Sequence, residues 1–306
     1  MEGTTLENAA NYSRVRDLLS QGVRGLAAAG IDSARLDAEV LLGHVLAMTH
    51  EQLLVAADLP LSAEQVQRFA ALWQRRLSRE PVAYITGKQE FWSLDFHVTR
   101  DVLIPRPETE RLIEVALTLA AELGSDKPLR VLDIGTGSGA IAVSLATELP
   151  SAEIIATDVS TVALEVAQGN AMLNGAANRI TFLPGDLFAA LGGDIAAFDL
   201  IVSNPPYIRR AQIATLEPEV SRWEPRGALD GGADGLDFYR RIAAQAWHFL
   251  TLNGALTLEI GADMGGEVSS VFNRAGLFRE VAVFQDYAGC DRVIAAKVAT
   301  KSFGSI

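Results

Sequence analysis

The run Asp133-Ile134-Gly135-Thr136-Gly137-Ser138-Gly139 constrains the fold of this chain more than any other stretch. It follows a short apolar segment, residues 130–134, and precedes 140–148, whose small and straight-chain residues suit a helix. Glycines at such a junction let the backbone approach a ligand with no Cβ in the way, and the helix beyond offers unpaired N–H groups. A strand, a glycine turn and a helix in that order open a βαβ unit, and such units bind ligands beyond the carboxyl ends of their strands.

The texture downstream repeats that unit. Candidate strands fall at 130–134, 153–158, 180–183, 199–203, 255–260, 281–285 and 292–298, with helix-length segments such as 140–148 and 161–174 between the early ones. Seven short apolar runs of this kind predict an α/β domain with a mostly parallel, seven-stranded sheet. Only residues 286–291 separate the last two strands, too few for a crossover helix, so that pair is expected to be antiparallel.

Upstream the pattern is helical. Val15, Leu18, Leu19, Val23 and Leu26 recur at helical spacing, as do Leu36, Val40 and Leu41, and both sets read as core. Ser62 with Gln65 forms a capping-box signature ahead of a stripe of Val66, Phe69, Ala70, Trp73 and Leu77. Residues 91–102 have the alternating, aromatic and β-branched character of a hairpin or extended linker. The expected organisation is a small all-α bundle over 1–82, a hairpin linker over 83–103 and the α/β domain over 104–306.

Composition narrows the functional classes. A net charge of −12 disfavours a surface that holds nucleic acid by neutralising phosphates. One cysteine, Cys290, forms no intramolecular disulfide and has no metal-spaced neighbours, as expected of a lone thiol in a reducing compartment. The first five residues carry no basic-then-apolar signature of a secretory signal, and no apolar stretch nears the roughly 20 residues of a membrane span. A cytoplasmic enzyme without membrane or direct nucleic-acid partners is the expectation.

The glycine spacing alone also satisfies the dinucleotide pattern G-x-G-x-x-G/A, through Gly135, Gly137 and Ala140. Asp133 tilts the balance, because a carboxylate two residues before Gly135 repels a pyrophosphate and suits the ammonium of a methionine moiety. S-adenosylmethionine is therefore the expected cofactor, cradled by Gly135, Thr136, Gly137, Ser138 and Gly139. Asp158, ending the second strand, is placed to accept from ribose hydroxyls. Asp186, after the third, is a candidate acceptor for the adenine amine with Leu187 against the ring, although an Asx turn or helix cap also accounts for it.

The fourth strand ends in Asn204-Pro205-Pro206-Tyr207, after Ser203. Two consecutive prolines lack N–H groups and fix φ near −65°, so the loop is rigid and presents acceptors only. The Asn204 side-chain oxygen and the Pro205 carbonyl can each take one hydrogen of an NH₂ group, turning its lone pair toward a methyl donor and stabilising the charge that grows on nitrogen. Tyr207 can stack on a flat amide. The expected reaction is methylation of a planar amide or amine nitrogen, with Asn204, Pro205, Pro206 and Tyr207 as catalytic and substrate-binding residues and Asn204 also beside the cofactor.

These features, together with Glu90-Phe91-Trp92-Ser93-Leu94, Leu103-Ile104-Pro105-Arg106-Pro107-Glu108-Thr109-Glu110, Glu224-Pro225, Gly235-Leu236-Asp237-Phe238-Tyr239 and Gly289-Cys290-Asp291-Arg292, resemble the protein-(glutamine-N5) methyltransferases that act on peptide chain release factors. The resemblance covers nearly the whole chain. It implies a Rossmann-like class I methyltransferase domain behind a small helical domain and a hairpin, with the glutamine of the Gly-Gly-Gln motif in class 1 release factors as substrate. Leu187 stands where some relatives carry an aromatic residue. Arg106 reads equally as a surface salt-bridge partner or a substrate contact. Trp223 and Glu224, in the long segment 208–235, read as loop anchors or as partner contacts.

Close rivals are a ribosomal-protein glutamine methyltransferase and a DNA adenine-N6 or cytosine-N4 methyltransferase, which uses a similar tetrapeptide on a flipped base. A nicotinamide-dependent oxidoreductase and a non-catalytic sensor of the cofactor are more distant. The first of these has no use for the tetrapeptide, and the second none for an intact Asn204.

Overall fold

The computed structural model describes residues 14–124, 127–192 and 197–299. Residues 1–5, the stretch without a secretory-signal signature, lie outside that range, as do the extreme ends of the expected first and last domains. The chain divides into two compact units with the boundary between Gly87 and Lys88.

The first unit holds helices α1 (Val15–Ala28), α2 (Ala34–Leu46), α3 (His50–Val55), α4 (Ala63–Leu77) and α5 (Val82–Thr86). Ser62 caps α4 reciprocally with Gln65, and Thr49 caps α3 in the same way with Gln52. Trp73 is completely buried and donates its indole N–H to the Gly22 carbonyl at 3.0 Å. A Cβ on Gly25 would lie 2.2 Å from that ring, so glycine is what lets α1 approach α4. The α2 stripe departs from expectation in part: Leu41 is buried, but Leu36 is 60% and Val40 40% exposed. The buried face of α2 is instead Ala34, Ala38, Leu41, Leu42 and Val45, because small residues facing Gly22 allow close helix contact.

The second unit begins with a hairpin, β1 (Lys88–Phe91) and β2 (Leu94–His97), which starts and ends earlier than the aromatic run at 91–102 indicates. Its two-residue turn is Trp92-Ser93, both at positive φ (54° and 57°), the backbone of a type I′ turn without the usual Asn or Gly. Tertiary contacts hold it. Trp92 donates its backbone N–H to Glu110 at 3.0 Å and its indole N–H to Glu148 at 2.8 Å.

The remaining elements are α6 (Glu110–Leu123), β3 (Arg130–Ile134), α7 (Ala140–Glu148), β4 (Glu153–Asp158), α8 (Thr161–Leu173), β5 (Ile180–Pro184), β6 (Phe198–Ser203), α9 (Pro218–Ser221), α10 (Asp237–Phe249), β7 (Leu250–Glu259), α11 (Gly265–Ala275), β8 (Phe278–Gln285) and β9 (Asp291–Val298). They form a seven-stranded sheet in the order β5-β4-β3-β6-β7-β9-β8, with β8 and β9 antiparallel as expected. β7 starts at Leu250, five residues ahead of the apolar run at 255–260, and a register shift between Phe198 and Leu200 absorbs the extra length.

Two apolar layers sandwich the sheet. Val131, Ile154 and Leu200 meet α6, α7 and α8 on one face, while Leu132, Ile201 and Leu256 meet α10 and α11 on the other. Burial on both faces explains why these strands read as continuous apolar runs rather than alternating ones. Among the described residues no helix is long and apolar enough to cross a membrane, and no cluster of His, Cys, Asp or Glu could hold a metal ion.

Candidate active site

Sheet order decides where a ligand can sit. From β3 the chain winds outward through β4 and β5, then returns to place β6 on the other side of β3. The connections leaving β3 and β6 therefore diverge and open a crevice at the carboxyl edge. Ile134 pairs with Ser203 across the two strands, so Gly135 and Asn204 emerge side by side. The Ser203 hydroxyl ties them by donating to the Ile134 carbonyl at 2.6 Å. The cleft above has a volume of about 380 Å³, the scale of a small-molecule site.

Gly135 and Gly137 take φ of 71° and 54° with open space where a Cβ would point, a backbone floor bare toward the cleft. Thr136 and Ser138 share that floor, whereas Gly139 lies behind it, pressed against Ala167. Asp133 also lies behind the floor and is fully buried. Its Oδ2 accepts from the Thr136 hydroxyl at 2.6 Å and its Oδ1 has no partner among the described residues. Burial, reinforced by the charge of Asp158 and opposed by the Thr136 hydrogen bond, pushes its pKa up to about 7.

Asp158 accepts from the Gly137 N–H at 2.8 Å and from the Ser160 N–H at 2.9 Å, so the loop and β4 are locked together at the cleft wall. Each carboxylate oxygen keeps further acceptor capacity toward the cleft. Asp186 and Leu187 line the cleft too. Asp186 makes no helix-cap hydrogen bond; it pairs with Arg241 at 2.6 Å, which occupies part of the capacity an adenine amine would need. Leu187 is 8% exposed and its backbone sits at φ 52°, turning the side chain to the wall.

At the other wall, Asn204 donates through Nδ2 to the Thr109 hydroxyl at 3.3 Å, which leaves Oδ1 for the cleft. Pro205 and Pro206 continue the lining, but Tyr207 does not. Its ring packs with the α10 and α11 layer, and its hydroxyl donates to Glu259 at 3.2 Å. Tyr207 thus anchors the loop from behind instead of offering a stacking face. Burial raises its pKa, and the Glu259 charge adds to the effect.

Thr109 and Glu259 belong to this arrangement and escaped sequence reasoning as site residues. For Glu259 a signal existed: it closes β7 at the same edge as Asp158 closes β4, an acid at the end of an otherwise apolar strand.

The 208–235 segment packs back over this wall. A Cβ on Gly231 would lie 2.7 Å from Tyr207 Cα, and one on Gly235 2.5 Å from the Tyr207 carbonyl, so both glycines let the segment seat against the tetrapeptide. Arg106 meets Glu224 at 2.5 Å, and Arg100 lies over the Trp223 ring at 4.1 Å. The Glu224 side chain is almost wholly buried, and burial raises its pKa against the pull of Arg106. The geometry gives Arg106 an ion-pair partner at the cleft lining and makes Trp223 and Glu224 anchors of the segment.

Comparison with known proteins follows the same division. Residues 17–87 match the PrmC N-terminal domain and residues 114–217 the methyltransferase small domain. A release factor glutamine methyltransferase of Cereibacter sphaeroides is 46% identical over 93% of this chain and 99% of its own length. One from Moorella thermoacetica is 46% identical over 92% and 98%, and one from Geobacter sulfurreducens 45% over 89% and 93%. Among solved structures, the hMettl16 catalytic domain in complex with MAT2A 3'UTR hairpin 6 superposes with a TM-score of 0.56 at 19% identity, covering 72% of this chain and 81% of that one. That likeness is one of fold.

Proposed function

The chain belongs to the release factor glutamine methyltransferase family, and we propose that it methylates the side-chain nitrogen of the glutamine in the Gly-Gly-Gln motif of class 1 peptide chain release factors, with S-adenosylmethionine as donor. The observation that carries this reading is the Ile134–Ser203 pairing, which sets an open glycine floor and a proline-stiffened tetrapeptide bearing oxygen acceptors next to each other. When bound, S-adenosylmethionine supplies a methyl group on a positively charged sulfur.

The residues present fit such a donor. Gly135 and Gly137 provide a floor free of Cβ atoms with Thr136 and Ser138 between and beside them, Asp158 offers acceptor capacity for ribose hydroxyls, and Asp186 with Leu187 borders the place for the base. Asp133, buried beneath the floor with one orphaned oxygen, favours a positive charge above it. Opposite, Asn204 Oδ1 and the Pro205 carbonyl take the two hydrogens of the glutamine amide and stop it rotating. That grip would leave the nitrogen lone pair aimed at a methyl donor held over the glycine floor, and the surplus proton of the product would be lost to water. The tetrapeptide contributes orientation and fixed negative dipoles, both present before the reaction begins.

The exposed Leu36, Val40, Leu54 and Val55 support a role for the helical unit in holding a protein substrate. The −12 charge supports a protein over duplex DNA, and a translation factor as substrate supports action in the cytoplasm. The test is mass mapping of a purified release factor incubated with enzyme and cofactor: a gain of one CH₂ on the Gly-Gly-Gln glutamine is expected. No gain there, with transfer to duplex DNA or to a ribosomal protein instead, would overturn the reading.

A further inference from the structure

We propose that Glu259 is a positioning residue that fixes which end of the Asn204 side-chain amide faces the cleft, acting through the Thr109 hydroxyl. The inference rests on the glutamine-methylation reading above. A primary amide is nearly symmetric in shape, so Asn204 has two orientations related by a half turn, and only one presents oxygen. The other would place an NH₂ group against the incoming NH₂, two donors facing each other.

The choice is made behind the wall. Thr109 is 5% exposed and accepts from Asn204 Nδ2 at 3.3 Å. A hydroxyl has one proton and can act either way, so something must take its proton for it to remain an acceptor. Ser203 pairs with Leu258, which brings Glu259 alongside Asn204 at the same sheet edge. Glu259 is 1% exposed; Oε1 accepts from Tyr207, while Oε2 has no hydrogen-bond partner among the described residues. The backbone of the same residue is pinned, since its carbonyl accepts from the Tyr239 hydroxyl at 2.8 Å.

The orphaned Oε2 is the buried acceptor left for the Thr109 O–H, so we infer that polarity runs one way, from Asn204 N–H to Thr109 and from the Thr109 O–H to Glu259. Burial raises the Glu259 pKa and the Glu108 charge adds to it, while the Thr109 hydroxyl, the Arg292 charge and the Tyr207 hydroxyl offset part of the rise. Glu259 thus reaches the nucleophile only through other groups. It holds Tyr207 on one side and sets the direction of the Asn204 amide on the other.

The experiment uses the full chain and a purified release factor, with Glu259→Gln, Thr109→Val, Thr109→Ser and the double Glu259→Gln/Thr109→Val. Each variant is measured for kcat at saturating cofactor and for S-adenosylmethionine affinity by calorimetry. Glu259→Gln and Thr109→Val should each lower kcat by about 10²-fold, the effect of a misdirected reacting group, with cofactor affinity retained. Thr109→Ser, which keeps the hydroxyl, should restore most of the rate, and the double variant should be no worse than either single. Wild-type kcat in Thr109→Val, equal losses in the Ser and Val variants, or multiplied losses in the double would overturn the proposal. Should Glu259→Gln fail to fold, the Thr109 pair still decides. A wild-type enzyme that leaves the release factor unmethylated would instead remove the substrate reading, and this inference with it.

Discussion

Replacing Asp133 with asparagine should abolish a pH dependence of stability that the native protein carries between roughly pH 4 and pH 7. Burial lifts this carboxyl from the ordinary 3.8 to about 7. Over that window the unfolded chain has already lost the proton that the folded chain keeps, so folding stability falls as pH rises and is level above. The full difference amounts to about 4 kcal/mol, an upper figure because local relaxation reduces it. In a domain of this size that corresponds to a Tm change of roughly 10 °C. Urea titrations of native protein and Asp133→Asn at half-unit pH steps would show the difference between the two curves growing from pH 4 to pH 7 and then holding constant. Asparagine can still accept from Thr136, so the offset between the curves includes one buried amide, but their divergence does not. A cofactor ammonium above the glycine floor favours the carboxylate, so calorimetry at pH 6 in two buffers should count proton release on binding by the native protein and none by the variant. Parallel stability curves would refute the argument that burial, uncompensated at Oδ1, governs this residue.

Asn204→Ala should reduce methyl transfer about 10²- to 10³-fold while calorimetry finds cofactor affinity retained, since one acceptor of the nucleophile is lost and the glycine floor is untouched. Gly231→Ala should cost about 1–3 kcal/mol in urea unfolding, and lower kcat, because the new methyl would lie 2.7 Å from Tyr207 Cα; Gly266→Ala, with open space at its Cβ, should not destabilise. Arg106→Ala should destabilise by about 3–5 kcal/mol by leaving Glu224 buried and unpaired, and Arg106→Ala/Glu224→Gln should recover much of that loss in the same assay.

Much of this molecule is legible in its sequence, because the signals are local. β3 and β4 begin and end at the residues that the apolar runs mark, and the two loops of the cleft follow their strands directly. What escapes depends on contacts between distant residues. The Trp92-Ser93 turn adopts its conformation only because Glu110 and Glu148 hold it, and no turn residue announces it. Leu36 and Val40 are as apolar as a core demands, yet α2 turns Ala34 and Ala38 inward, since closeness to α1 at Gly22 outweighs side-chain size. Tyr207 suits an aromatic platform by type, but the hydroxyl of Glu259's hydrogen-bond donor lies behind the loop, a placement set by β7. Thr109 is visible in sequence only as part of a helix entry; its meaning comes from Asn204, which lies far along the chain.

In the proposed mechanism half of the grip on the nucleophile is assigned to the Pro205 carbonyl, and no side-chain substitution can delete a peptide oxygen. Alanine scanning is therefore blind to that jaw, and whatever rate survives in Asn204→Ala includes its contribution. Weighing the two jaws separately calls for a change to the main chain itself, such as a thioamide in place of the Pro205 carbonyl, which puts a weaker acceptor at that position and keeps the Pro206 ring and every other side chain on the cleft wall.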